Sequence, residues 1–124
     1  SEDMRLYRGQ TLRWHMDLMR AIYPGWDEDY AAVLLRRFDL RAGQRLGGYS
    51  HGQRVKALLL LCLARRPPLL LLDEPTTGLD PVARAEVLEA LAEVLKDEHR
   101  SVLFSSHNTR DVEQLADRIA FLHR

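Results

Sequence analysis

Apolar residues recur at helical spacing through the first part of the chain and then condense into solid runs. Leu12, Met16, Met19 and Tyr23 fall at i, i+4, i+7 and i+11, which predicts an amphipathic helix over residues 10–22. Pro24-Gly25 ends it. Asp27 stands where an N-cap is expected, ahead of a second helix with Tyr30, Val33, Leu34 and Phe38 on one side. Arg41 to Gly48 is a polar stretch with three glycines and reads as a loop. Ser50 has the character of an N-cap, and Gln53 follows at capping-box spacing. The helix this opens, from His51 or Gly52 to Ala64, is apolar almost all round and is therefore expected to be buried. Pro67-Pro68 stops it.

The pattern then changes period. Leu69–Leu72 is an unbroken apolar run, as expected of a strand covered on both faces. Asp80-Pro81 pairs an N-cap with proline at the first helical position, and the helix it opens is expected to reach Asp97 with Leu88, Leu91, Ala92 and Leu95 inward. Ser101–Ser105 is a short β-rich run, residues 108–117 read as helix, and 119–122 as a last strand. The expectation is an α/β chain with a purely helical part over 1–64. A βαβαβ part follows over 65–124, forming a parallel sheet with right-handed crossovers.

Composition narrows the function classes. A length of 124 residues suits one domain or a piece of one, and 46% hydrophobic residues exclude wholesale disorder. A formal net charge of zero argues against a general nucleic-acid or membrane-surface binder. Charge is uneven, since Asp39 is the sole acid between Arg36 and Arg66; a solvated helical face and a phosphate-facing role both fit. Cys62 is the single cysteine, which precludes an intrachain disulfide and reads as a small core residue, in keeping with a reducing compartment. The histidines have no metal-ligand spacing with it. The chain opens on Ser-Glu-Asp, unlike a signal peptide, and Val55–Leu72 is too interrupted by charge and proline for a membrane span.

Three groups carry candidate chemistry. Asp73-Glu74 closes an apolar strand and so puts two carboxylates at the rim of a parallel sheet, where open α/β sheets bind ligands. One can hold Mg²⁺ and the other can activate water. Ser50-His51-Gly52-Gln53 opens a helix and has the makings of an anion site. His107 follows the run 101–105 near its edge. No Gly-x-x-x-x-Gly-Lys-Ser/Thr phosphate loop occurs.

In this order and spacing, the groups resemble the ATP-binding subunit of ABC transporters over nearly the whole chain. Tyr49-Ser50-His51-Gly52-Gln53 looks like the family's signature motif, Leu69–Glu74 like its Walker B strand, and Thr77-Gly78-Leu79-Asp80 like its D-loop. The resemblance implies part of a P-loop NTPase fold and two cofactors, ATP and Mg²⁺. It implies that Asp73 positions the metal, that Glu74 polarises the attacking water and that His107 senses the γ-phosphate. Asp80 would couple paired sites. Ser50, His51, Gly52 and Gln53 would meet the γ-phosphate of ATP held by an opposite subunit. Ser1-Glu2 looks like the Q-loop position, which would make Glu2 a second metal-site residue and the starting point of the chain. Tyr23–Asp27 and Phe104–His107 resemble bacterial exporter ATPases in particular. The implied partners are a second ATPase subunit and a membrane permease docked on the helical part, at the inner face of the cell membrane. Two departures stand out. His51 replaces a glycine of the signature, and the phosphate loop with its lysine is missing. Weak ATP binding and little hydrolysis by the chain alone are therefore expected, with open sheet edges that pair internally or recruit another copy. The alternative is a non-catalytic module that binds or regulates a complete ATPase.

Overall fold

The computed structural model describes residues 6–97 and 100–105. They divide into two compact units that meet in sequence at Pro67-Pro68.

In the first unit, helix α1 (Leu12–Ile22) begins at Thr11, whose hydroxyl accepts from the Trp14 N–H at 3.0 Å. Leu12, Met16 and Met19 are buried, as their spacing predicts. His15 shares their face and is buried with them, which the apolar pattern does not reveal. Its Nε2 accepts from the Tyr7 N–H at 2.9 Å, and its Nδ1 lies 2.7 Å from the Thr11 carbonyl. An Nδ1–H tautomer satisfies both partners, so the ring fastens the residue 7–11 turn to the helix.

Helix α2 (Glu28–Arg37) starts at the expected cap. Asp27 Oδ1 accepts from the Tyr30 N–H at 3.0 Å, while Oδ2 accepts from Arg66 Nε and Nη2 at 2.9 and 2.8 Å. The Asp27 N–H in turn donates to the Ala64 carbonyl at 2.7 Å. One residue thus ties the start of α2 to the end of α3 (His51–Ala64). Two cation–π contacts reinforce the tie: Arg65 lies 4.5 Å from the Tyr23 ring centre and Arg66 lies 4.5 Å from that of Tyr30. The buried line of α2 is Ala31 and Leu34, continued by Phe38. Val33, expected on that side, is exposed, because it sits two residues past Ala31 and so about 200° round the helix.

The Tyr30 N–H, and after it Arg66, hold the Asp27 carboxyl below its ordinary range. A depressed carboxylate stabilises the fold above its unfolded-state value, and that contribution is lost as pH falls through the folded value. Asp27→Ala is therefore expected to cost about 1–2 kcal/mol near pH 7. The deficit should shrink below the folded value, where the wild-type carboxyl is also protonated. Asp27→Asn, which still caps, should recover most of the loss. Urea unfolding at neutral and at strongly acid pH checks this; a deficit independent of pH would rule the account out.

Residues 41–48 are more ordered than a polar loop. Ala42 and Leu46 are buried, and Leu46–Gly48 forms a 3-10 turn. The Leu46 N–H donates to Gln10 and the Gly47 N–H to Arg8, at 3.0 and 2.9 Å. A Cβ on Gly47 would stand 3.2 Å from the Arg8 carbonyl, so this approach favours glycine. Helix α3 is buried along most of its length, as its apolar circumference predicts.

In the second unit, β1 (Leu69–Asp73) pairs in parallel with β2 (Ser101–Ser105), in register from Leu69↔Ser101 to Asp73↔Ser105. Helix α4 (Pro81–Val94) connects them in a βαβ unit. Asp80 caps it and Pro81 takes its first turn; it ends at Val94, short of the expected Asp97, where Leu95 closes the last turn. The expectation for β1 needs correction. Leu70 is buried, but Leu69 and Leu71 are 51% and 49% exposed, so among the described residues the strand is covered on one face. The physical reason is that a run of leucines satisfies a one-sided and a two-sided strand equally well; what lies on each face decides. The helix expected over 108–117 and the strand expected over 119–122 lie outside the described residues.

Candidate functional site

The first candidate group forms at the start of α3. Ser50 Oγ accepts from the Gln53 N–H at 3.2 Å and the Gln53 side-chain oxygen accepts from the Ser50 N–H at 2.8 Å, a complete capping box. The box presets the turn. It leaves the Ser50 hydroxyl proton and the Gln53 amide NH₂ as groups able to donate outward. Ser50, His51 and Gln53 are exposed and Gly52 is half-buried. The positive end of the helix dipole adds to the attraction for an anion.

Tyr49, the first residue of the signature-like run, and Arg54, just beyond it, support this turn. Tyr49 is buried, and its hydroxyl donates to the Arg41 carbonyl. Burial pushes its phenol up from the ordinary value. Arg54 Nη1 donates to the Tyr49 carbonyl at 2.7 Å. Helical geometry offers a signal for Arg54, since it lies four residues after Ser50 and so on the same face. No comparable signal marks Gln44, whose Nε2 donates to the Gly48 carbonyl at 3.0 Å across a turn.

The second group lies where β1 ends. Asp73 is exposed on the last residue of the strand, and Glu74 follows half-buried. The Glu74 backbone is left-handed, with φ of 47°. For a residue with a Cβ that conformation costs about 1–2 kcal/mol, and such strain gathers at functional turns. It turns the chain sharply out of the strand. The Thr77 N–H then donates to the Glu74 carbonyl and the Leu79 N–H to the Thr76 carbonyl, both at 3.2 Å. Gly78 supplies a φ of 78°, which glycine adopts without penalty. Asp80 Oδ1 accepts from the Ala83 N–H at 2.8 Å, so this candidate coupling residue also caps α4.

These two groups belong to different units, Ser50–Gln53 to the first and Asp73, Glu74 and Asp80 to the second. Glu2 and His107 lie outside the described residues. Among the described residues no three His, Cys, Asp or Glu side chains are placed to hold a metal together. The donor chemistry nevertheless suits Mg²⁺, which is commonly held by one or two carboxylates with phosphate and water completing its shell. Asp73 offers one exposed carboxylate at the strand end. Cys62 takes no part: it is buried, and burial raises its thiol above the ordinary value, which keeps it unreactive. Among the described residues no helix is long and apolar enough to cross a membrane.

Comparison with known proteins places these groups in context. The family model described as "AAA domain, putative AbiEii toxin, Type IV TA system" matches residues 16–110. The ABC transporter ATP-binding protein YtrB of Bacillus subtilis (strain 168) is 36% identical over 116 residues, which cover 94% of this chain and 40% of YtrB. A solved ATP-binding subunit of an ABC transporter superimposes with a TM-score of 0.73 at 28% identity, over 90% of this chain and 48% of that one. The ATP-binding cassette MJ0796, in a dimeric post-hydrolysis state bound to ADP and Pi, superimposes with a TM-score of 0.72 at 22% identity, over 86% of this chain and 50% of that one. The chain therefore spans about half the length of these cassettes and less than half of YtrB.

Proposed function

Because this chain belongs to the ATP-binding cassette family of ABC transporter ATPases, we propose that it supplies the signature and Walker B portion of a cassette that hydrolyses ATP to drive export. The observation that carries the reading is the end of β1, where a parallel strand delivers Asp73 and then, through a left-handed turn, Glu74. In this reading Asp73 holds Mg²⁺ with the phosphates and Glu74 polarises the water. His107 contacts the γ-phosphate and Glu2 adds to the metal site. Residues 65–124 form part of the ATPase core, and residues 1–64 are the helical subdomain that docks on a permease at the inner face of the membrane.

The exposed turn Ser50-His51-Gly52-Gln53 faces the γ-phosphate of ATP bound by a second ATPase subunit, and Asp80 couples the two sites. His51 brings a side chain where the family's glycine leaves the backbone open to close approach, and a ring N–H there adds a phosphate contact. The phosphate loop supplies most triphosphate contacts in such enzymes. Its absence from this sequence makes weak binding by the chain alone the expected state.

Equilibrium calorimetry with Mg-ATP tests the reading. The chain alone is expected to bind at about millimolar Kd or weaker, worth at most ~4 kcal/mol. A chimera in which it replaces its matched segment of YtrB should bind at least ~100-fold more tightly. Micromolar binding by the chain alone would overturn the weak-binding expectation. A folded chimera that binds no better than the chain would overturn the assignment of these residues to a cassette.

A further inference from the structure

The turn that opens α3 stands on a built platform. Helix α1 begins with amides that have no partner inside the helix, and the loop at 41–48 meets two of them. The Arg13 N–H donates to the Ala42 carbonyl at 2.8 Å and the Leu12 N–H to the Gln44 carbonyl at 3.4 Å. Thr11 and Arg45 form an antiparallel bridge alongside. With the bonds from Leu46 to Gln10 and from Gly47 to Arg8, the loop is fastened to the start of α1 and the turn before it. Tyr49 closes the loop. Its N–H donates to the Leu46 carbonyl at 3.1 Å. Its hydroxyl donates to the Arg41 carbonyl, which also accepts the Gln44 N–H at 3.1 Å. Both lone pairs of that carbonyl are thereby used. Tyr49 is only 5% exposed, so its ring is held by packing as well as by the bond.

The capping box fixes Ser50 and Gln53 relative to α3, but it does not fix them relative to the loop. Tyr49 does, because it is held from both sides. Its carbonyl accepts from Arg54 Nη1 at 2.7 Å on the α3 side, and its hydroxyl is anchored on the loop side. Ser50 is the next residue in the chain, so its place follows from that of Tyr49. We propose that Tyr49 is a positioning residue for the phosphate-facing turn: its hydroxyl, through the Arg41 carbonyl, sets where the Ser50 hydroxyl stands and so how well Ser50 meets a terminal phosphate. The inference rests on the reading of that turn as a phosphate contact and names the group that aims it. A donor assists phosphoryl chemistry only where it is held in place, and a misplacement of about 1 Å can cost about 10²-fold in rate. Phenylalanine at position 49 would fill nearly the same space and leave the Arg41 carbonyl one donor short, which separates the bond from the packing.

The test has two arms, both built on Tyr49→Phe. In the full chain without nucleotide, hydrogen exchange of the Ser50 and Gln53 amides, which the capping box protects, should quicken by roughly two- to tenfold, as the loss of one hydrogen bond allows. Protection at residues 59–62, in the buried middle of α3, should stay as it is, which distinguishes a loosened turn from a destabilised chain. Unchanged exchange at Ser50 and Gln53 overturns the proposal. The second arm is a double-mutant cycle on ATP turnover in the YtrB chimera. Tyr49→Phe should slow turnover by about tenfold when Ser50 is present and by less than about twofold in a Ser50→Ala background, because the hydroxyl acts through Ser50. Equal losses in both backgrounds overturn the proposal and leave Tyr49 a packing residue. Ser50→Ala that leaves turnover intact strikes the phosphate-facing reading itself, and the positioning role falls with it.

Discussion

Replacing Glu74 with glutamine in the YtrB chimera is expected to slow ATP turnover by ~10²–10⁴-fold, the usual contribution of a positioned general base. Mg-ATP affinity should change by less than about threefold, since in the proposed role the carboxylate acts on water and not on the triphosphate. Glutamine is the informative substitution because of the backbone. Glu74 is left-handed, with φ of 47°, and glutamine keeps the same Cβ in the same strained turn while removing the charge. Glutamate to glycine would relax the turn as well and confound chemistry with geometry. Single-turnover hydrolysis and equilibrium binding on the same preparation separate the two effects. Equal losses in affinity and turnover would mean that Glu74 belongs to the binding surface and not to the hydrolytic step.

The largest effect on stability is expected from Leu60→Ala. Leu60 has no exposed surface, in a helix whose neighbouring positions Leu59, Leu61, Cys62 and Leu63 are also buried. Truncating a leucine in such a site costs about 2–5 kcal/mol, from lost transfer energy and the cavity left behind. A small domain holds only about 5–15 kcal/mol in total, so this change consumes a large share. The helical unit should then melt at markedly lower temperature or denaturant concentration. A cost under about 1 kcal/mol would mean that α3 can collapse onto the gap, contrary to the close packing expected of an all-round apolar helix. Val33→Ala provides the contrast. Val33 is half out of the protein, although its spacing suggested a core position, and its truncation should be within about 0.5 kcal/mol of neutral.

Val33 and Leu60 illustrate how far the pattern of residues reaches. Caps at Asp27, Ser50 and Asp80 were all legible, because each depends on a side chain and an amide three residues apart. The ends of α1 and α3 were equally legible from Pro24-Gly25 and Pro67-Pro68, since proline acts on its immediate neighbours. The pairing of β1 with β2 followed from their order around α4. The motifs that mark the candidate site were legible for the same reason: they are short runs whose residue types and spacing are themselves the signal.

Other features depend on groups far apart in the chain. Asp27 meets Arg66 across 39 positions, and neither residue announces the other. His15 is a polar residue on an apolar face, and only the arrival of the Tyr7 amide makes it a satisfied core group. The left-handed turn at Glu74 is imposed by the strand on one side and the following turn on the other. Most telling is β1. Its leucines determined that residues 69–72 form a strand, because apolar β runs bury themselves against something. Whether one face or both would be covered was decided by what packs beside them, and Leu69, Leu71 and Leu103 lie open. The sequence by itself determined the elements, their caps, their order and the chemistry at their ends, all of which rest on interactions within a few residues. Only the tertiary structure decided which apolar faces are covered among the described residues and which lie open there, because burial is a property of neighbours brought together from distant parts of a chain.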